Sequence, residues 1–120
     1  MARSTALIGL AAALLVASSA GAQEQAPNRR EFTIVARDHT FTPSRIEVSQ
    51  DDLVKVTLRS EDRPYSFAID PYRIVKRAGG GQTIAFEFRA DRAGTFEFYC
   101  NLTSDAACRD MKGTLVVKGK

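Results

Sequence analysis

Both cysteines of this 120-residue chain, Cys100 and Cys108, lie in one short stretch, and Met111 follows three residues later. Three sulfur atoms on one loop allow two kinds of chemistry. Two thiols can close a disulfide, or two thiolates and a thioether can form a soft donor set for a metal. Any chemistry should therefore sit between Thr95 and Val117. Phe96, Phe98 and Cys100 share one strand parity and Glu97 and Tyr99 the other, so a strand here carries Cys100 inward beside two aromatics. Asn101 to Asp105 is a polar, turn-forming stretch, and Gly113 leads into a β-branched run, Thr114 to Val117.

The remaining chain has to hold that loop. Phe32, Ile34 and Ala36 alternate with Thr33, Val35 and Arg37, which predicts a first strand with one apolar face. The same period-2 pattern recurs at Ile46 and Val48, at Val54 to Leu58, at Tyr65 to Ile69 and at Ile84 to Phe88. Between them, Asp38 to Ser44 is expected to be a turn and Ile74-Val75 a brief extended piece. Gly79 to Gly81 is expected to be a flexible connection. No segment after residue 22 keeps a helical period. About seven short strands joined by turn-rich loops predict an all-β antiparallel sandwich or Greek-key barrel.

The first residues are read as a targeting segment. Arg3 gives a positive start, Ala6 to Ala17 an apolar run shorter than a bilayer span requires, and Ala20-Gly21-Ala22 small residues for cleavage. Residues 1–22 are thus expected to be a cleaved signal, 23–30 a flexible lead-in and 31–120 one domain. That placement implies a periplasmic or secreted protein with no membrane insertion after cleavage. Lys and Arg number 17 against 14 Asp and Glu, and cleavage removes only Arg3. Charges of both signs are interspersed, as in Glu61-Asp62-Arg63, so no nucleic-acid surface is expected and the chain is expected to act as a monomer.

The stretches 41–48 (FTPSRIEV), 66–69 (SFAI), 94–100 (GTFEFYC) and 111–117 (MKGTLVV), in that order, resemble the cupredoxin family. They are most similar to the periplasmic copper domain of cytochrome c oxidase subunit II and to small secreted cupredoxins. The resemblance covers Glu31 to Lys118 and implies a Greek-key β-sandwich with copper bound on the 100–111 loop. It implies a copper or electron-transfer partner as well. The oxidase pattern Cys-x3-Cys-x3-His-x2-Met fits the loop in length. Cys100 and Met111 match its ends, but Ser104 stands in place of the second cysteine and Cys108 in place of the histidine. The family's upstream histidine position, before Ser66-Phe67, is Tyr65.

Those changes remove both imidazoles on which a blue copper site relies, and the bridging thiolate of a binuclear one. His39, the only histidine, belongs by sequence order to the first turn and is expected to be solvated there. Tyr65 is expected to pack as a neutral phenol with its hydroxyl hydrogen-bonded, the competing expectation being a metal-binding phenolate. Two functions follow. In one, Cys100, Cys108 and Met111, with Tyr65 nearby, bind Cu(I) for copper handling or redox. In the other, Cys100 and Cys108 form a disulfide closing a nine-residue loop, which stabilises by about 2.5 kcal/mol, and the domain is a metal-free interaction module. An enzyme is not expected. No Ser, His and Asp constellation or phosphate-cradling glycine loop is present, and adjacent carboxylates such as Asp51-Asp52 and Glu61-Asp62 are read as turn formers.

Overall fold

Alternating apolar residues become the facing sides of two sheets. A computed structural model describes residues 28–120, so the expected signal and most of the lead-in lie outside the described residues. The strands are β1 (Arg29–Arg37), β2 (Thr40–Thr42), β3 (Arg45–Ser49), β4 (Leu53–Ser60), β5 (Tyr65–Ile69), β6 (Ile74–Ala78), β7 (Thr83–Arg89), β8 (Gly94–Tyr99) and β9 (Lys112–Lys118). One sheet has the order β2-β1-β4-β7 and the other β3-β9-β8-β5-β6. The core lies between them. Ile34, Ala36, Val54, Val56, Leu58 and Phe86 come from the first sheet, and Ile46, Val48, Phe67, Phe98, Leu115 and Val117 from the second.

The all-β sandwich is as expected, with four corrections. β1 begins at Arg29, inside the expected lead-in, because Arg29 to Ala36 pair in register with Leu53 to Ser60 of β4. Thr40–Thr42 is a strand, since Asp38 and His39 both adopt positive φ and close a two-residue hairpin in which Arg37 faces Thr40. The sheets are mixed: β1 runs parallel to β4 and β3 parallel to β9, whereas an antiparallel arrangement was expected. The Gly79 to Gly81 connection is pinned by hydrogen bonds. Gln82 N–H donates to Gly79 O, and Gly81 N–H to Ser60 O.

Aromatic rings fill the centre. Phe67 stacks on Phe98 at 4.8 Å between centroids, and Phe41 meets Phe98 edge-on at 5.4 Å. Each fully buried Phe contributes roughly 1.5–3 kcal/mol. Phe98 lies across β9, where a Cβ built on Gly113 would come within 2.1 Å of Phe98 Cζ, so only glycine lets that ring down. At the β6 edge, Lys76 shares the inward parity of Ile74 and Ala78, and its Nζ lies 5.8 Å from the Phe86 ring centroid. An inward-pointing charge of this kind discourages pairing of a free edge with another chain.

Candidate functional site

β8 delivers Cys100 to one end of the sandwich, and the chain then crosses that end before returning as β9. The crossing is held by its own turns. Asp105 caps a short 3-10 turn (Ala106–Asp110), its carboxylate accepting from Ala107 N–H, and Cys108 N–H donates to Asp105 O. Met111 then closes the loop, since its N–H donates to Cys108 O and its carbonyl accepts from Cys100 N–H at 3.2 Å. Cys100 and Cys108 are joined by a disulfide, with Cα atoms 5.2 Å apart. Cys100, Cys108 and Met111 are all fully buried.

Around the sulfurs the hydrogen-bond donors converge. Ser66 N–H points at Cys100 Sγ at 3.4 Å, the Ser66 hydroxyl oxygen lies 3.6 Å from the same sulfur, and Leu102 N–H points at Cys108 Sγ at 3.2 Å. Ser66 O–H also lies 2.6 Å from Asn101 Oδ1, while its oxygen accepts from Asn101 N–H. β5 places this serine, whose neighbour Tyr65 points into the core.

Tyr65 is buried as a hydrogen-bonded phenol, in agreement with that expectation. Its hydroxyl donates to Asp62 Oδ1 at 2.6 Å and accepts from His39 N–H at 3.1 Å. Burial, reinforced by the Asp62 hydrogen bond, pushes its pKa above the ordinary value for tyrosine, so the proton is held tightly. Asp62 shows the converse: the Tyr65 hydroxyl and the Asp38 N–H hold its carboxyl below the usual carboxylate range.

His39 corrects the sequence reading. It sits in the β1–β2 turn, but its ring faces this end of the sandwich. Its Nε2 lies 2.8 Å from Asp105 Oδ2 and 3.3 Å from an Arg63 guanidinium nitrogen, and its ring meets Tyr65 edge-on at 5.9 Å. The histidine is what chiefly lowers the Asp105 pKa. Two successive left-handed residues without glycine cost of order 1–3 kcal/mol each, and here Asp62 and Tyr65 capture the N–H groups of both. Thus His39, Asp62, Arg63, Ser66, Asn101 and Asp105 all belong to the site, and sequence reasoning missed them. The one local signal was Asp105 three residues before Cys108, an N-cap spacing.

The donors present do not fit a resident copper ion. The two sulfurs of Cys100 and Cys108 are bonded to each other, the Tyr65 proton is committed to Asp62, and the His39 ring nitrogen faces Asp105 beside a guanidinium. Only the Met111 thioether remains, a weak ligand by itself. Among the described residues, no three His, Cys, Asp or Glu side chains are grouped to hold a metal.

A family model described as "Cupredoxin-like domain" matches residues 6–117. Several solved structures share the fold. Auracyanin A, a blue copper protein from the green thermophilic photosynthetic bacterium Chloroflexus aurantiacus, matches with a TM-score of 0.65 and 16% identity, covering 76% of this chain and 100% of that one. A heme-copper terminal oxidase dimer matches with a TM-score of 0.65 and 16% identity, over 74% of this chain and 65% of that one. The metal-binding domain of the Cu(I)-exporting P-type ATPase CopA of Streptococcus pneumoniae, solved with Cu(I), matches with a TM-score of 0.63 and 15% identity, over 78% of this chain and 90% of that one. At such identities the likeness is one of fold.

Proposed function

The chain belongs to the cupredoxin-like family, and from that premise we propose that it is an exported cupredoxin domain in which a disulfide replaces the copper centre. Its role is to dock on a partner in the cell envelope, acting as a monomer and catalysing nothing. The observation that carries this reading is the Cys100–Cys108 disulfide, buried where the family's thiolate ligand would stand. A buried disulfide stiffens the loop and leaves no thiolate for a metal. The intact mass of protein from its export compartment, taken with and without alkylation in denaturant, tests both export and pairing. The expected result is a mass that starts at Gln23 and gains no alkyl groups until a reductant is added. Immediate double alkylation would sink the reading.

A second reading is favoured by the donors aimed at the two sulfurs. Ser66 N–H and Leu102 N–H would stabilise thiolates if the pair were reduced, and Met111 is buried on the same loop. In that state Cys100, Cys108 and Met111 would take Cu(I) as cargo, for carriage or for exchange with a copper or electron-transfer partner. Tyr65 stays a protonated neighbour. Titrating reduced protein with Cu(I) should then protect both thiols from alkylation, with Met111→Leu weakening the protection. Unprotected thiols at one equivalent of Cu(I) would rule this reading out.

A further inference from the structure

The 3-10 turn at Ala106–Asp110 sends its two charged residues to different sides. Asp110 lines the cleft that also holds His39 and Met111, whereas Arg109 lines a second cleft of about 390 Å³ on the outer side of the β8–β9 pair. Glu97, Tyr99, Cys100, Asn101, Thr103 and Lys112 complete that second cleft.

Hydrogen-bond donors outnumber acceptors there. Asn101 Oδ1 is occupied by the Ser66 hydroxyl, which leaves the amide NH2 as the group the side chain can offer. The Tyr99 hydroxyl donates to Asp70 at 2.7 Å, so it is already committed. Arg109 has no ion-pair partner among the described residues, and Lys112 reaches Glu97 only at 4.0 Å. Of the lining residues one carboxylate, Glu97, is therefore set against a guanidinium and an ammonium, the Asp70 carboxylate outside the lining being hydrogen-bonded to the Tyr99 hydroxyl, and the Asn101 amide and the Thr103 hydroxyl line the same cleft. Asn101 is anchored through Ser66, and Arg109 follows directly on the buried Cys108, so two of the donors stand on fixed backbone.

We infer that this cleft recognises carboxylates of a protein partner, an acidic segment laid across β8–β9 with one carboxylate on Arg109 and another on Lys112. Arg109 offers the planar fork that accepts a carboxylate in bidentate fashion, and Lys112 exchanges a long contact with Glu97 for a short one with the ligand. The inference rests on the docking reading in one respect: it takes the domain to meet a protein partner, and it names the chemistry of that partner.

The experiment is an NMR titration of oxidised, 15N-labelled protein with hexaglutamate. Hexalysine of equal length and sodium succinate serve as comparison ligands, and alkylation is used to verify pairing in the same sample. Hexaglutamate should shift the amides of Asn101, Thr103, Arg109 and Lys112 well beyond those at Arg73 and Arg77. Arg109→Ala with Lys112→Ala should raise the Kd about tenfold or more, whereas Arg77→Ala should leave it unchanged. Equal shifts at all exposed cations, an unchanged Kd in the double variant, or succinate binding as tightly as the peptide would each overturn the assignment. Free thiols in a sample that still binds hexaglutamate at this cleft would defeat the staple reading and leave the cleft standing.

Discussion

The two ends of the sandwich are closed by different bonds. At the far end the turn at residues 49–52, the residues after β7 and the end of β9 are tied through main chain. Gln50 N–H donates to Lys118 O, Asp51 N–H to Ala90 O and Ala90 N–H to Asp52 O. At the disulfide end, the hydrogen bonds joining Asp38–His39 to Asp62–Tyr65 and to Asp105 all involve a side chain, and the loop between β8 and β9 adds a bond between two side chains to its main-chain tie from Cys100 N–H to Met111 O. Main-chain ties survive nearly any substitution, because every residue except proline supplies them. Side-chain ties depend on residue type. The disulfide end is therefore the one whose closure a few substitutions can change while the strands stay as they are.

The largest expected departure comes from forcing the disulfide end open from inside. Gly113→Val puts side-chain atoms where the Phe98 ring now lies, which should cost about 3 kcal/mol and lower the melting temperature by more than 10 °C. A melting curve close to wild type would mean that Phe98 can turn away from its stack on Phe67. Next comes the staple. Replacing Cys100 and Cys108 together by serine should cost about 2.5 kcal/mol in urea unfolding, and adding reductant should not destabilise that variant further.

A smaller effect is expected when a single polar tie is cut. Tyr65→Phe leaves the ring packed but deprives the His39 N–H and Asp62 of their partner, an expected loss of about 1–2 kcal/mol. Acid should act on the same network. Asp62 and Asp105 have folded pKa values below those of the unfolded chain, so the stability they contribute is fully present above about pH 4 and is lost as pH falls through the folded values. Asp51 and Glu47, outside this network, are shifted in the same sense by Lys120 and Lys118. The difference in acid unfolding between wild type and Asp62→Asn with Asp105→Asn therefore isolates the disulfide end. The smallest effect belongs to the far end: Gln50→Ala removes one exposed side-chain bond to Asp91 O and keeps the main-chain tie, so stability should change by less than about 0.5 kcal/mol.

The same contrast governs what the sequence disclosed. Strand parity is local, and it identified Ile34, Val54, Val56, Phe67 and Phe98 as core residues before any coordinates. The loop from Cys100 to Met111 was legible from residue type, and so was the possible disulfide. β2 was hidden because Asp-His occupies a turn where Asn-Gly would have announced a hairpin. Parallel pairing was hidden because partners in such pairs are distant in sequence and carry no mark of each other. His39 was misjudged for the same reason: its partner Asp105 is 66 residues away, and distance along the chain was taken for distance in space.

Parallel pairing has a kinetic consequence. β3 lies at the edge of its sheet with β9 as its only strand neighbour among the described residues, so the segment at residues 45–49 gains its ladder there when residues 112–118 arrive beside it. Closing so long a loop is entropically slow, and the ordering of this sheet should wait for the last strand of the chain. The Cys100–Cys108 crosslink spans only its own local loop and does nothing to shorten that wait. The chain should therefore remain unfolded while its C-terminal strand is missing, and a version lacking residues 112–120 should fail to fold even in an oxidising buffer.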